Sequence, residues 1–323
     1  MNGTATQPTP AGYKDRRVGL IVFGILEIVV GGFCALLLLF LLLASALLPN
    51  AREAMDWRMI GSAVPVYGVC GAAMIWLGIG SILCRRWARA LMLVVSWSWL
   101  LGGVLAVGFF FLFARSFLAG AASDPVAYFA MAVAGIILVI LFVVLPGAMV
   151  LFYRSPHVQA TCAARDPLAR WTDHCPLPVL ASSLWLGLAA FFLLAGSVLY
   201  RKAMPWFGML LSGTPATLMI LICAAFGFYL AWGTYRREIT AWWATLVGFT
   251  LFSVSAVITF MKVDPMDFYR RLGYPEQQIE QVRNLGFFTG RVMVWWAVIC
   301  FVLFVIYLIW IKKYFRQESS NTL

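Results

Sequence analysis

The sequence predicts an all-α polytopic membrane protein with about eight transmembrane helices. Three observations carry that expectation. Hydrophobic residues make up 63% of the 323-residue chain and charged residues 11%, whereas soluble domains carry about 25% charged residues. The apolar residues fall in runs long enough for a helix to cross a hydrocarbon core of about 30 Å. The charges collect in short clusters between those runs, where Lys and Arg anchor helix ends. The net charge of +11 forms no continuous basic face, so the expected partner is the lipid bilayer and not nucleic acid.

The elements follow in order. Residues 1–17, MNGTATQPTPAGYKDRR, are polar and are expected to form a disordered cytoplasmic N-terminus. Asn2 fits a glycosylation pattern, but the topology below puts it in the cytoplasm. The apolar run that comes next is too long for a signal-peptide core, so no cleaved leader is expected. Spans are read over 18–48, 60–83, 90–114 and 126–153, giving a four-helix membrane half at 18–153. Residues 154–177 form a cytoplasmic connector. A second half at 178–312 holds spans at 178–200, 214–235, 240–261 and 290–311, and 313–323 is a cytoplasmic tail.

Asp124-Pro125 and Thr214-Pro215 each pair a capping side chain with a first-turn proline. Pro65 and Pro146 should kink the second and fourth spans, because neither can donate a backbone hydrogen bond. An outer helical hairpin is read at 264–286. Asp264-Pro265 starts its first helix and Gly273 ends it; Pro275-Glu276 starts the second and Gly286 ends it. Met266, Tyr269 and Leu272, then Ile279, Val282 and Leu285, give each helix an apolar side. That side would lie on the membrane surface or dock a partner.

Orientation follows from the basic residues. With the N-terminus inside, 14 of the 24 Lys and Arg fall on the inside, and five of the other ten lie in or beside the single loop 262–291. This places both termini in the cytoplasm of an inner (plasma) membrane protein. The halves also resemble each other. CRRWARAL at 84–91 and YRREITAW at 235–242 both join a second helix to a third, and LFYR after the fourth span matches KYFR after the eighth. Two parallel four-helix halves are one reading of this pattern.

Few residues suggest chemistry. Glu27 is the one ionisable residue well inside a predicted span, which makes a functional role the default hypothesis. Gly24 and Gly31 share its helical face, so it should face protein and be neutral or bonded to Ser, Thr, Tyr or Trp groups. It is either a substrate site or a structural polar lock. Gly61, Gly68, Gly71 and Gly78 form a stripe on the second span and read as helix-packing positions.

His157, Cys162, His174 and Cys175 gather in the connector and could supply nitrogen and sulfur ligands to Zn²⁺. Their spacing is poor, and the alternative is a solvated linker with a short helix, DPLARW, capped by Asp166. On that connector, Cys162 and Cys175 should meet an impermeant thiol reagent from the cytoplasmic side. Cys34, Cys70, Cys223 and Cys300 sit in apolar segments and read as small hydrophobes. Ser96, Ser98, Thr250, Ser253, Ser255 and Thr259 could line a polar path or simply bond backbone.

No phosphate loop, HExxH, GxSxG or intramembrane carboxylate pair is present, so neither an enzymatic activity nor a cofactor is expected. Two functional classes stay open. One is a non-catalytic membrane component that binds a partner protein, a second copy or lipid. The other is a transporter or channel for a small or lipid-like molecule.

Overall fold

A computed structural model describes residues 13–47, 57–119, 125–199, 202–284 and 289–315. Asn2, Asp124, Leu285, Gly286 and the tail beyond 315 lie outside the described residues. Eight helices are long and apolar enough to cross a membrane. They are α1 (Arg17–Leu47), α2 (Trp57–Ile82), α3 (Arg86–Ala119), α4 (Pro125–Arg154), α6 (Leu177–Leu199), α7 (Thr214–Tyr235), α8 (Ile239–Lys262) and α11 (Gly290–Ile311). The chain is therefore an all-α, multi-pass membrane protein. Shorter helices are α5 (Pro156–Arg165), α9 (Pro265–Leu272) and α10 (Glu276–Asn284).

Proline acts differently in the two helices where it was noted. α2 continues through Pro65. In α4 a π turn, Ile140–Val144, precedes Pro146. Proline lacks the N–H that an α-helix would give to the carbonyl four residues earlier, and its ring crowds that carbonyl. The wider turn relieves the clash, with the Leu145 N–H bonding to Ile140 O. The Phe142 carbonyl then lies against Gly103 of α3, where any Cβ would collide with it.

The all-helical reading missed a β-hairpin, β1 (Ala203–Trp206) and β2 (Met209–Ser212). Its turn residues Phe207 and Gly208 have φ of 39° and 92°, as a type I′ turn requires. The sequence AMPWFGMLLS has no apolar–polar alternation to announce a strand. The connector also differs from expectation. Asp166–Arg170 is not helical; the helix is α5, started by Pro156, and a 3-10 turn covers Trp171–Asp173. The Asp166 carboxylate does not cap its own helix because it binds elsewhere, as shown below.

Backbone proximity groups the chain into two compact units. One comprises Met1–Leu37 and Val69–His174, the other Leu38–Gly68 and Cys175–Leu323. In the first unit the α2–α3 turn is closed by the Cys84 N–H to Ser81 O and the Arg85 N–H to Gly80 O. Cys84 has φ of 53°. A Cβ on Gly80 would lie 2.6 Å from the Ala88 Cβ.

In the second unit the α7–α8 turn repeats this bond for bond. The Arg237 N–H bonds to Thr234 O and the Glu238 N–H to Gly233 O. Arg237 has φ of 62°, and a Cβ on Gly233 would lie 2.6 Å from the Ala241 Cβ. The matching residues are thus Gly80 with Gly233, Ser81 with Thr234, Cys84 with Arg237 and Ala88 with Ala241. This register differs by two residues from the one that aligns Arg-Arg with Arg-Arg.

The core of the second unit gathers Cys175, Val179, Leu180, Trp242, Leu308, Ile311 and Phe315. At the same end Lys312 Nζ sits 4.5 Å from the Trp242 ring and 4.8 Å from that of Trp243, and Lys313 lies over Trp310 and Tyr314. Such cation–aromatic pairs suit the membrane–water boundary.

Candidate functional site

The site begins with the helical repeat of α1. Leu20, Gly24, Glu27 and Gly31 follow one another at intervals of four, three and four, and so line one face. Gly24 and Gly31 let the α2 backbone come close. A Cβ on Gly24 would lie 2.7 Å from Gly78 O, and one on Gly31 would lie 2.8 Å from Gly71 O. Glu27 is held between these two crossings and is 1% exposed. Gly68 meets only the Leu38 side chain, at ordinary contact distance. Gly61 lies in the early turns of α2.

Two hydroxyls close on the carboxyl group. Tyr153 OH, at the end of α4, donates to Oε1 at 2.6 Å. Ser81 Oγ, in the last turn of α2, donates to Oε2 at 3.0 Å. The two hydroxyl oxygens are themselves 3.0 Å apart. Tyr153 is 0% exposed and Ser81 1%. Behind them Arg89 Nε donates to the Tyr153 carbonyl at 3.1 Å, satisfying one of the acceptors that a helix end leaves open.

These partners also fix the depth. Ser81 and Tyr153 are each the next-to-last residue of their helices, so the Glu27 carboxyl lies near the ends of α2 and α4, shallower than its count along the first span suggests. α1 has 31 residues and rises about 46 Å, more than a bilayer core needs.

The connector residues are dispersed. His157 Nδ1 accepts from the Lys14 backbone N–H at 3.3 Å, and the Arg16 N–H bonds to Thr161 Oγ1 at 3.1 Å. These bonds strap residues 14–16 to α5. Cys162 is 1% exposed within the first unit, His174 is exposed, and Cys175 belongs to the core of the second unit. Among the described residues, no group of three or more His, Cys, Asp and Glu is placed to hold a metal ion.

Burial pushes the Cys162 thiol up to about 12 and that of Cys175 to about 11. Both are therefore protonated, inaccessible thiols. This burial slows their reaction with a thiol reagent from whichever side it comes.

The polar centre of the connector is Asp166, 2% exposed. Arg170 binds it with two prongs, at 2.7 and 3.1 Å, and Arg85 lies at 3.6 Å. The Arg86 backbone N–H, in the first turn of α3, also donates to it at 3.3 Å. Burial works to raise its pKa, but the Arg170 and Arg86 hydrogen bonds and the charges of Arg170 and Arg85 hold it below the usual carboxylate range.

The other polar residues of the spans serve local ends. Ser98 bonds to Val94 O and Thr250 to Leu246 O, each one turn back on its own helix. Ser255 and Thr259 instead receive the β-hairpin turn. Ser96 Oγ is buried without a hydrogen-bond partner among the described residues.

In the helical hairpin of α9 and α10, Asp264 caps α9 by accepting from the Met266 N–H, and Gly273 ends it with φ of 86°. Met266 and Ile279 are each 2% exposed, so those apolar side chains pack inside the protein. Arg270 joins α9 to α10 through Glu276 at 2.8 Å and pairs with Asp267 of its own helix at 2.9 Å.

Sequence reasoning singled out Glu27 but missed Tyr153, Ser81 and the charge hub at Asp166. A tyrosine one residue before a terminal arginine reads as an interface anchor, and only the tertiary fold turns it inward. No protein-family model, characterised protein or solved structure matches the chain.

Proposed function

We propose that the chain is a non-catalytic membrane component that binds a partner protein, a second copy or lipid, in an inner (plasma) membrane with both termini cytoplasmic. The observation that carries this reading is the closure of the Glu27 node. The carboxyl is 1% exposed and both its oxygens are taken by Tyr153 and Ser81. Glycine crossings close its two sides along α1. A substrate-binding acid needs an approach, whereas a structural lock needs none.

The hydroxyls of Ser81 and Tyr153 bring two protons to three oxygen–oxygen contacts. A third proton, on Glu27 Oε2, completes the ring once that oxygen donates to Ser81, Ser81 turns to donate to Tyr153, and Tyr153 still donates to Oε1. In this reading the node is neutral and locks α1, α2 and α4. The two matched turns support two four-helix halves, 18–153 and 178–312, joined by the connector 154–177. Their basic residues support placing that end in the cytoplasm.

Affinity purification from native membranes tests the proposal. A protein or lipid retained in fixed ratio to the chain is the expected result. Solute uptake into proteoliposomes that is lost in a normally folded Glu27→Gln variant would overturn it in favour of a transporter.

A further inference from the structure

The β-hairpin between α6 and α7 is docked in an unusual way. The Phe207 N–H donates to Ser255 Oγ at 2.9 Å, and the Gly208 N–H donates to Thr259 Oγ1 at 3.0 Å. Both acceptors lie inside α8, which ends at Lys262. The turn therefore sits one to two helical turns below that end. A turn in water leaves such N–H groups to solvent. Two helix hydroxyls placed to receive them are what a backbone needs where water is scarce.

The exposed backbone of β2 is also served, because Arg271 Nη1 donates to Leu210 O at 3.1 Å. On the inner side Met204 packs with Ala216 and Ile220 of α7.

The outward side chains have the opposite character. Phe207 is 40% exposed and Met209 57%. Type I′ turns in water favour Asn or Asp before Gly; here the position is a phenylalanine. Within about a turn further into α8, Leu251, Phe252 and Val254 are exposed apolar side chains of a helix long and apolar enough to cross a membrane. The Lys262 stem lies along Gly208, so its ammonium can reach headgroup phosphates while its methylenes stay in apolar surroundings.

We propose that Ala203–Ser212 is a re-entrant hairpin seated in the bilayer leaflet at this end of the second unit. Phe207 and Met209 contact acyl chains, and Lys262 meets the headgroups above them.

The test uses the full chain in nanodiscs loaded with one copy each. Phe207→Cys, Met209→Cys and the exposed control Gln281→Cys are treated with a charged methanethiosulfonate, and modification is read peptide by peptide. The control should react fully, and the two hairpin thiols about tenfold slower or more, since thiolate is scarce away from water. Reaction of either hairpin thiol at the control's rate would overturn the proposal. The unmodified chain gives an independent reading. Hydroxyl-radical oxidation of Met209 in nanodiscs should fall far below that in the denatured chain, and equal rates would show the hairpin to be in water.

Discussion

In the first unit α1 is tied to α4 by a carboxyl, with Tyr153 OH 2.6 Å from Glu27. In the second unit α6 is tied to α11 without any acid. Tyr307 OH donates to the Pro178 carbonyl at 2.6 Å and receives Ser182 Oγ at 3.4 Å. The link to the next helix follows the same contrast: Ser81 bonds to Glu27 in the first unit, and Ser183 bonds to the Ala231 carbonyl in the second. A third tie is matched as well. Arg89 Nε donates to Tyr153 O, and Trp242 Nε1 donates to Leu308 O at 2.9 Å. These ties of the second unit are made by hydroxyls, carbonyls and an indole N–H. On the proposed reading, the carboxyl at position 27 meets the same structural need with a different group.

The largest expected effect is that of Glu27→Lys. It sets a cation against Tyr153 and Ser81, with no carboxylate beside it and glycine crossings on either side. An ion buried without a partner costs several kcal/mol even after relaxation. The variant should yield little folded protein by size-exclusion profile, and normal yield and melting would break the view that the node needs a neutral occupant.

Next come paired substitutions at the matched turns. Gly80→Val and Gly233→Val each drive a side chain into an alanine Cβ 2.6 Å from where the first added atom would stand. Overpacking of this sort costs about 1–3 kcal/mol. Both should lower the melting temperature by similar amounts, and a large effect at only one position would break the equivalence.

A smaller difference should separate Tyr153→Phe from Tyr307→Phe. Membrane hydrogen bonds average about 0.6 kcal/mol and reach about 1.7. Tyr153 lies in a fully buried ring, so its loss should fall toward the upper figure and that of the half-buried Tyr307 toward the mean. Thermal denaturation in matched detergent checks the order. Glu27→Gln should have the smallest effect, within about 0.5 kcal/mol, because glutamine keeps the shape and can both donate and accept. Strong destabilisation by glutamine would show that the node holds a charge.

The eight candidate crossings were legible because they follow from run length and composition, and the ends of α9 were legible because capping chemistry is local. α7 differs, since Gly213 stands at its N-cap without a side-chain bond and Thr214 is its first helical residue instead of its cap. The Glu27 node was half legible. Its face could be read from Gly24 and Gly31, but Tyr153 lies 126 residues away and nothing near it in sequence marks it as a partner. The α2–α3 and α7–α8 likeness was visible but misregistered. The eye aligns the arginine pairs, whereas the fold aligns the small residues, Gly80 with Ala88 and Gly233 with Ala241, whose close contact shapes the turn. The β-hairpin was illegible because its strands are short and its turn N–H groups are received by hydroxyls of a distant helix.

The π turn in α4 acts as a gear. Gly135 faces Phe110 and Phe111 of α3. At about 3.6 residues per turn, Tyr153 would come round to the same heading after about five turns of a regular helix. One wide turn between them swings everything after Val144 by roughly a quarter of a revolution, since each turn of this kind accommodates one extra residue. The early part of α4 can thus be meshed with α3 while its last residues engage α1. Whether the tyrosine reaches Glu27 is thus set by a proline and a stretch of five residues that lie about two turns or more before it in α4.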